Sequence, residues 1–492
     1  MKVAVIGLDG MSWALLAKFF EHDAMPFLNN LLQNAITGVL ESTIPPMTAP
    51  AWTSIATGVN PGKHGIFDFV VLKHNRIASS LDVHYPRIHE MVALKGKKSI
   101  CINQPLTYPI TKLEGATVIS DWLSPKLAYY PKDLEKHYSL RCFAPKRSFP
   151  SSLSAMQRNL QVKKNAVITL MNRIDWNLFW IICGETDFIF HKYWIEAMSG
   201  KRRIVDILNL IDAIINEARE IADAVFIVSD HGFKRYESTV NINSFLRRAG
   251  LVRESSRRKV TELHDFLPGD TQGIREVKLP SRFHRWIQDK PLLKSTVKRI
   301  YKFFSRRDLT AECPYPDPEL SDAYMPSHSS FGVFLNNKDL AKRILDEMRD
   351  LEYLDTVWKR DEVYQGPHVD LAPHIIFKPK FDAGYIPAGT RMTPSIISRG
   401  AVFDHHPAGI VAIYANHLTP KNLGIKKTFD ITPTILRMLG LPRPIDSDGH
   451  PIPEIASHYN TKSHKSFDYS QKWALFQKIN LFKKNLVKKV EE

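Results

Sequence analysis

Six short apolar runs, each ended by turn-forming or acidic residues, constrain the fold of this chain more than any other feature. They occupy residues 2–8, 99–103, 116–120, 177–183, 224–229 and 409–414. Helical periodicity lies between several of them, as in the series Ile204, Ile207, Leu208, Ile211 and Ile215. Strands that alternate with helices predict an α/β fold with a mostly parallel sheet covered by helices on both faces. Ligands collect at the carboxyl ends of parallel strands, so the residues that follow these runs are the first candidates for a site.

Three segments interrupt this alternation. The stretch at about 71–150 is rich in Tyr and Pro, and we predict that it forms a cap over the site. We predict a basic insertion at about 253–318 and a basic amphipathic tail at 456–492. The organisation expected for the 492 residues is therefore one catalytic domain over residues 1–455, followed by the tail.

The net charge of +16 is concentrated in two of these segments. Residues 253–307 contain 15 basic and 6 acidic side chains, and residues 456–492 contain 8 lysines and 3 acids. An anionic partner such as a membrane surface is one interpretation of this charge, and a solvated face without a partner is the other. Nucleic acid is not an expected partner, and the sequence does not indicate an oligomeric state.

Cysteine usage and hydropathy indicate the compartment. The four cysteines, Cys101, Cys142, Cys183 and Cys313, are far apart and form no C-x-x-C pair, which argues against a disulfide framework or a thiolate zinc site. The apolar N-terminal run is too short for a signal peptide, and no run approaches 18 apolar residues. We therefore predict a cytoplasmic protein.

Polar residues of the types that bind metal ions follow three of the apolar runs. Asp9 follows the first, Asp187 and His191 follow the fourth, and Asp230-His231-Gly follows the fifth. A carboxylate and an imidazole four residues apart share one helical face, as two ligands of one ion would. Each motif also has a simpler interpretation, because an Asp after a strand is commonly a turn or capping residue and an exposed Asp/His pair is common.

A candidate nucleophile lies in the segment Thr48-Ala-Pro50-Ala-Trp-Thr-Ser-Ile-Ala-Thr-Gly58. Pro50 and Gly58 are typical of the first turn and the end of a short helix, which places Thr48 at its N-terminus. Free N–H groups there favour an alkoxide and a bound phosphate. The alternative is an N-cap threonine without a chemical role. Because a threonine hydroxyl is a weak nucleophile, Thr48 is a candidate only if an ion or a base lies beside it.

Taken together and in this order, these residues resemble the alkaline phosphatase superfamily and, within it, the type I phosphodiesterase and nucleotide pyrophosphatase family. The resemblance spans about residues 1–455. It rests on Gly7-Leu-Asp9-Gly, the segment from Thr48 to Ile66 that contains His64, Asp187-x-x-x-His191, Ser229-Asp230-His231-Gly, Asp404-His405-His406-Pro-Ala-Gly-Ile, and a closing helix near residues 428–442. It implies an alkaline phosphatase-like three-layer sandwich with a mostly parallel central sheet, plus the cap and the basic insertion.

The resemblance also implies two divalent ions, with zinc favoured over manganese. By matched position, Asp187, His191 and His405 would bind one ion. Asp9, Asp230 and His231 would bind the other, with Thr48 reaching that second ion. Two ions about 4 Å apart can stabilise the transition state of phosphoryl transfer, and mixed imidazole and carboxylate ligands suit zinc or manganese better than calcium.

The activity implied is hydrolysis of a phosphodiester or pyrophosphate bond through a phosphothreonine at Thr48. The substrate would be a small phosphate ester or a lipid- or glycan-linked one. A phosphomonoesterase is the nearest alternative, followed by a sulfatase, a phosphoglycerate mutase-like enzyme and a non-catalytic binding protein. Well-known nucleotide pyrophosphatases have an Asn about 21 residues after the nucleophile, where this chain has Phe69 beside Asp68, so a nucleotide substrate is not implied.

His405 competes with other histidines for the role of third ligand. His406 is its neighbour, and His328, His368 and His374 lie in the same half of the chain. The matched Gly409-Ile410 favours His405.

The tail and the insertion share a helical pattern of apolar and basic residues. In the tail, Leu475, Ile479, Phe482, Leu486 and Val490 follow helical spacing, with lysines around them. The insertion shows the same pattern between Leu292 and Phe304. Such basic amphipathic helices lie on anionic membranes, which would make the protein peripheral to a membrane. The alternative is that both apolar faces pack on the protein's own body.

Overall fold

The computed structural model describes residues 1–148, 150–259, 313–459 and 466–479. Most of the predicted basic insertion at 253–318 lies outside these residues, including its helical pattern between Leu292 and Phe304. The two described ends of the insertion, Glu254–Ser255 and Tyr315–Pro316, pair as antiparallel strands. The insertion therefore leaves and rejoins the body at one place.

The strands of the described residues are numbered in chain order. They are β1 Val3–Leu8, β2 Ile36–Glu41, β3 Val70–Val71, β4 Arg76–Ile77, β5 Ser99–Ile102, β6 Ala116–Ile119, β7 Tyr129–Tyr130, β8 Leu178–Cys183, β9 Ala224–Val228, β10 Gly232–Val240, β11 Glu254–Ser255, β12 Tyr315–Pro316, β13 Ala323–Tyr324, β14 Gly332–Leu335, β15 Leu354–Lys359, β16 Ile375–Pro379, β17 Tyr385–Pro387, β18 Ile397–His406, β19 Ala408–Tyr414, β20 Asn422–Lys427, β21 Arg443–Pro444 and β22 Ser466–Phe467.

The helices of the same residues are numbered likewise. They are α1 Trp13–Phe20, α2 Pro26–Leu32, α3 Thr48–Thr57, α4 Pro61–His64, α5 Ile88–Leu94, α6 Leu134–His137, α7 Pro145–Ser148, α8 Leu153–Arg173, α9 Glu185–Met198, α10 Arg202–Ile221, α11 Ile242–Arg248, α12 Ala341–Arg349, α13 Arg360–Val363, α14 Ile431–Met438 and α15 Pro453–Ala456. None of the helices in the described part of the chain has the length and apolarity needed to cross a membrane.

A nine-stranded sheet in the described residues forms the centre of the molecule. Its order is β20-β2-β19-β9-β1-β8-β5-β6-β7. The five strands from β9 to β6 run parallel to their neighbours, whereas β19 lies antiparallel between β9 and β2. All six predicted apolar runs are strands of this sheet, and the predicted α/β class with a mostly parallel sheet is confirmed.

Helices cover both faces of this sheet. Side chains of a strand alternate between faces, so β1 directs Ala4, Ile6 and Leu8 to a core shared with α1, α2, α8, α9 and α10. Val3 and Val5 face the other core, which contains residues of α3, α5 and α14. The predicted periodic helix is α10, with its five predicted core residues buried. The result is the expected three-layer sandwich.

The segment 71–150, which we predicted to cap the site, contains two of the six predicted apolar runs. It contributes β5, β6 and β7 to the central sheet, and β5 is buried at every position. The apolar runs in this segment extend the sheet beside β8, where they gain hydrophobic burial and backbone hydrogen bonds. A cap over the site stays a prediction for the rest of the segment.

A second β structure, which we call the distal β region, comprises residues 232–259 and 313–406. It contains a three-stranded sheet, β17-β10-β18, and a four-stranded sheet, β13-β14-β16-β15. Its core is built around residues such as Leu246, Val333 and Phe377. β10 starts directly after Asp230-His231, and β18 ends at His406, so the region both begins and ends at candidate site residues.

The described part of the tail packs on the body. β22 pairs with β21, residues 469–479 are helical, and Tyr469 is fully buried in the core that contains α14. Leu475 and Ile479 are 57% and 44% exposed. The tail helix therefore docks through one face and leaves the predicted apolar positions 475 and 479 open, while Phe482, Leu486 and Val490 lie outside the described residues.

Candidate active site

The parallel register of the central strands brings the predicted polar residues to one edge. Gly7 of β1 pairs with Ile182 of β8 and with Val228 of β9, so the three strands end side by side. Asp9 follows β1 and Asp230-His231 follows β9. After β8, helix α9 starts at Glu185 and places Asp187 and His191 one turn apart.

Long-range antiparallel pairing brings His405 to the same place. β18 pairs with β10 so that His405 lies opposite Phe233, two residues after His231. The rings of His231 and His405 stack with centroids 3.8 Å apart. The site therefore combines two β structures and a helix, since Asp9 and Asp230 follow strands of the central sheet, Asp187 lies on α9, and β18 contributes the last imidazole.

Three of the predicted ligands form a first cluster. The Nε2 atoms of His191 and His405 are 3.0 Å apart. Asp187 Oδ1 lies 3.5 Å from His191 Nε2 and 3.4 Å from His405 Nε2. One atom from each side chain thus points to a common position.

The other three predicted ligands are Asp9, Asp230 and His231, and the two carboxylates lie around His231 Nε2. That atom lies 3.6 Å from Asp9 Oδ1 and 3.3 Å from Asp230 Oδ2. Asp187 also lies within 4.8 Å of the ligand atoms of Asp9 and His231. The two clusters therefore adjoin at Asp187, which the sequence placed in the first cluster alone.

Thr48 is the first residue of α3, and its hydroxyl points into the second cluster. Met47, rather than Thr48, occupies the N-cap position, and Thr48 Oγ1 lies 3.3 Å from His231 Nε2. α3 reaches the strand ends because β1 has a glycine there: a Cβ on Gly7 would lie 2.5 Å from Trp52 Cη2 of α3. The buried hydroxyl is thus held beside the predicted ligands and does not cap its own helix.

The carboxylates of the site are buried without hydrogen-bond partners. Within the described residues, Asp9 Oδ1, Asp187 Oδ1 and both carboxylate oxygens of Asp230 are buried and accept no hydrogen bond. A buried carboxylate without a partner costs several kcal/mol or becomes protonated. A cation bound between these oxygens would satisfy them, so the donor set fits divalent ions.

Electrostatics divide the carboxylates into two kinds. Burial, together with the charge of Asp187, raises the pKa of Asp9 to about 8. Burial and the charges of Asp9 and Asp187 raise the pKa of Asp230. Burial alone would raise the pKa of Asp187, but the charges of His191 and His405 outweigh burial and lower it. Asp9 and Asp230 are therefore the groups that most need a positive neighbour.

Hydrogen bonds to the other ring nitrogen orient two of the imidazoles. His405 Nδ1 lies 3.1 Å from the carbonyl oxygen of Pro46, and His231 Nδ1 lies 3.0 Å from that of Gly232. A carbonyl accepts only from an N–H, so both rings carry a proton on Nδ1, which leaves Nε2 as the atom that can bind an ion once it is deprotonated. This is the tautomer that a metal ligand needs.

Sequence reasoning did not find the residues that support these ligands. Tyr236 of β10 donates its hydroxyl to the carbonyl oxygen of His405 at 2.7 Å, and Thr186 donates to the carbonyl oxygen of Asp9 at 2.6 Å. Tyr236 belongs to no motif, and only the β10–β18 pairing brings it near His405. Thr186 lies next to the predicted Asp187/His191 motif, but the sequence does not show that its hydroxyl bonds the backbone of Asp9.

The remaining candidate histidines have other partners or other positions. His406 Nε2 faces Asp382 at 3.6 Å, His374 Nδ1 accepts from the Leu335 amide, and His368 stacks on His84. His64 faces Ser54 Oγ at 2.9 Å, and burial lowers its pKa to about 3. Of these histidines and His405, only His405 belongs to the first cluster.

Known structures share this fold at low sequence identity. Phosphonoacetate hydrolase from Sinorhizobium meliloti, in complex with phosphonoformate, has a TM-score of 0.55 and 14% identity, covering 88% of this chain and 94% of that one. An inactive variant of murine ectonucleotide pyrophosphatase/phosphodiesterase 5, in complex with AMP, has a TM-score of 0.53 and 13% identity, covering 92% and 96%. The alkaline phosphatase PafA has a TM-score of 0.54 and 14% identity, covering 92% and 98%.

Sequence comparison identifies the family more directly than these structures do. No curated protein matches the chain. Residues 3–326 match the family described as type I phosphodiesterase / nucleotide pyrophosphatase. That match spans well over half of the 492 residues and includes Asp9, Thr48, the α9 pair and Asp230-His231. The chain belongs to the type I phosphodiesterase / nucleotide pyrophosphatase family and is a phosphoester hydrolase.

Proposed function

We propose that this hydrolase cleaves phosphodiester or pyrophosphate bonds with two divalent ions and a phosphothreonine at Thr48. One observation carries the proposal: the hydroxyl of Thr48 lies 3.3 Å from His231 Nε2, among buried carboxylate oxygens without partners. A threonine hydroxyl becomes a useful nucleophile only beside such an activating group.

The residues that would hold the ions are the two clusters. Asp187, His191 and His405 would bind the first ion, and Asp9, Asp230 and His231 would bind the second beside Thr48. Bound there, divalent ions would neutralise the non-bridging oxygens of a phosphate ester and favour the alkoxide form of threonine. Three imidazoles among six ligands favour zinc, with manganese as the alternative.

Helix α3 and Thr48 would position the phosphoryl group and supply the nucleophile. The first turn of α3 directs its N-terminal end at the phosphoryl group, where the helix dipole stabilises negative charge. Thr48 Oγ attacks phosphorus, the bond to the leaving group breaks, and the leaving oxygen takes up a proton. Water then attacks phosphorus, the P–Oγ bond breaks, Thr48 Oγ takes back a proton, and the phosphate, a monoester when the substrate is a diester, leaves.

A substrate screen tests this assignment. Protein loaded with zinc, and separately with manganese, should be assayed on aryl phosphodiesters, aryl phosphomonoesters, aryl sulfates and phosphonates. We expect the diesters to give the highest kcat/KM, excess chelator to remove the activity, and added zinc or manganese to restore it. Preferential hydrolysis of monoesters would indicate the phosphomonoesterase instead, and full activity in prolonged excess chelator would contradict the two-ion mechanism.

We propose a cytoplasmic location, with the tail resting on an anionic membrane that carries lipid- or glycan-linked substrate. Two observations support the tail's part in this: the helix at 469–479 docks through Tyr469, and it leaves Leu475 and Ile479 exposed beside Lys478. Exposed apolar residues next to lysines are the elements of an interfacial helix.

A further inference from the structure

A buried ion pair outside the two ligand clusters joins α8 to α9. Lys163 Nζ lies 2.8 Å from Glu185 Oε1, and the two side chains are 4% and 7% exposed. We call these two residues the α8–α9 ion pair. Lys163 occupies a core position of α8, because Leu160 and Val167 on the same face of the helix are also buried. Lysine is almost never fully buried unless it is paired, so the position of Lys163 depends on Glu185.

A contribution to stability does not by itself explain this pair. Taking two charges out of water costs about as much as their attraction returns, so an apolar pair of similar volume is often at least as stable. Glu185 Oε2 is also buried, and within the described residues it accepts no hydrogen bond, which adds to the cost. An apolar pair would lack a directed contact. The bond from Lys163 to Glu185 Oε1 supplies one, and it fixes the start of α9 relative to α8.

The N-terminal half of α9 has few other directed anchors. Its N-cap residue is Gly184, which has no side chain to cap the helix. The backbone is non-helical at Tyr193 (φ −132°, ψ 33°), two residues after His191. The turns that carry the predicted ligands are therefore separated from the second half of the helix. Their start is held by the first two residues, since Glu185 bonds α8 and Thr186 bonds the residue that follows β1.

Asp187 depends on this part of α9 more than the other predicted ligands do. It lies two residues after Glu185 and adjoins both ligand clusters. Its Oδ1 atom is buried and accepts no hydrogen bond within the described residues, so the backbone of α9 determines where that atom lies. We propose that Lys163, acting through Glu185, is a positioning residue that holds Asp187 in place for the divalent ions. This inference rests on the proposed function, because it requires the ions.

Zinc affinity, measured by competition with a chromogenic chelator, tests the inference. Lys163→Met with Glu185→Gln removes both charges and keeps the size of the side chains. The matched control is Arg87→Met with Glu90→Gln, because this second buried pair is 2% and 1% exposed and lies at the start of α5, which carries no predicted ligand. We expect the α8–α9 variant to bind zinc about 10- to 100-fold more weakly than wild type, and the control to stay within about two-fold. Equal affinity in the α8–α9 variant and wild type, or equal losses in both variants, would overturn the inference.

An apolar replacement separates positioning from stability. Lys163→Met with Glu185→Leu fills the same space without charge, and its midpoint of urea unfolding in the metal-free state should lie near that of wild type or above it. We expect this variant to bind zinc as weakly as the Met/Gln variant, because the directed contact is lost in both. Recovery of wild-type zinc affinity in the Met/Leu variant would show that the pair serves stability alone, and would contradict the positioning role.

Amide hydrogen exchange of the metal-free protein separates failure of this inference from failure of the proposed function. If wild-type protein binds no zinc, the two-ion function fails, but the amides of residues 188–192 still report how firmly this part of α9 is held. We expect these amides to exchange about 10-fold or more faster in Lys163→Met/Glu185→Gln than in wild type, with no change in Arg87→Met/Glu90→Gln. Unchanged exchange in the α8–α9 variant would contradict the positioning role of Lys163.

Discussion

The candidate active site and the tail hold their charged residues in opposite ways. In the site, Asp9 and Asp230 are 2% and 0% exposed and have carboxylate oxygens without hydrogen-bond partners. In the described tail, the basic side chains lie beside the exposed Leu475 and Ile479. Burying an unpaired charge costs several kcal/mol, while an exposed charge costs almost nothing. A fold retains buried, unpaired carboxylates only if a ligand or a reaction offsets their cost. The exposed charges of the tail need no explanation beyond solvation. Binding of the tail to a partner therefore needs its own experiment.

The largest expected effect is at Thr48. Thr48→Ala should reduce kcat on an aryl phosphodiester by about a thousand-fold or more, because the covalent route is lost. Folding and metal content should stay close to wild type, since the side chain removed is small.

The matched control for Thr48→Ala is Thr57→Ala, on the same helix. Thr57 is also buried, but its hydroxyl donates to the carbonyl oxygen of Thr53, so its loss should leave kcat within a few-fold. Nearly full activity in Thr48→Ala would remove Thr48 as the nucleophile and make Thr53 the next candidate.

A smaller effect, on metal affinity, is expected at Tyr236, which contacts the backbone of a predicted ligand. Tyr236→Phe removes the hydroxyl that donates to the carbonyl oxygen of His405, and loss of such an outer contact lowers metal affinity about 10- to 100-fold. Competition with a chromogenic chelator measures the change. Tyr85→Phe is the control, because its hydroxyl bonds Asp446 instead, and equal metal affinity in both variants would contradict the positioning role of Tyr236.

The buried carboxylates also predict how the metal-free protein responds to pH. Burial raises the pKa of Asp9 to about 8, and the Asp187 carboxylate outweighs burial and raises the pKa of His405 to about 9. In the unfolded chain these groups titrate near about 3.9 and about 6.5. Between about pH 6.5 and 8 the folded state therefore holds more protons, and its free energy of unfolding should fall by up to roughly 1.4 kcal/mol per pH unit for each group.

Urea unfolding of chelated protein across this pH range measures that slope. Burial lowers the pKa of His231 and of His191, so both are mostly neutral in either state above about pH 6.5 and add little to the change. Zinc-loaded protein is the comparison, and it should lack the decline because bound ions keep the ligands deprotonated. A metal-free protein whose stability stays constant or rises from pH 6.5 to 8 would show that the carboxylates are not strained as described.

The smallest effect is expected at the tail. Deleting residues 480–492 should weaken sedimentation with anionic liposomes at low salt by a few-fold, with no change in hydrolysis of a soluble diester. The deletion starts at 480 because Tyr469 is part of the core, so removing all of 456–492 would also destabilise the body. Leu475→Ser with Ile479→Ser should act in the same direction, and equal liposome binding by all forms would leave the tail as a solvated surface.

The sequence was most informative where a chemical motif adjoins a strand. Asp9 and Asp230-His231 directly follow apolar runs, so the parallel sheet and the position of these residues could be predicted together. The Asp187/His191 spacing fixes one helical face in the same way. Local patterns were sufficient in these cases because the strand end and the predicted ligand are neighbours in the chain.

Features that depend on long-range pairing were not predicted from the sequence. The runs at 99–103 and 116–120 were predicted to be strands, but nothing local shows that β5 pairs with β8. The distal β region was missed because its strands are short and their partners are distant in the sequence. The position of Tyr236 was missed with it. The family resemblance pointed to His405, whereas local sequence could not distinguish it from its neighbour His406.

Metal content tests the central claim most directly. Protein dialysed against zinc, freed of loosely bound metal and measured by elemental mass spectrometry should contain two ions per chain. Asp230→Asn, which removes the charge of one fully buried ligand, should contain about one. Two ions in the wild type and a loss confined to the second cluster in the variant are the predicted result, whereas wild-type protein that retains no stoichiometric zinc or manganese would contradict it.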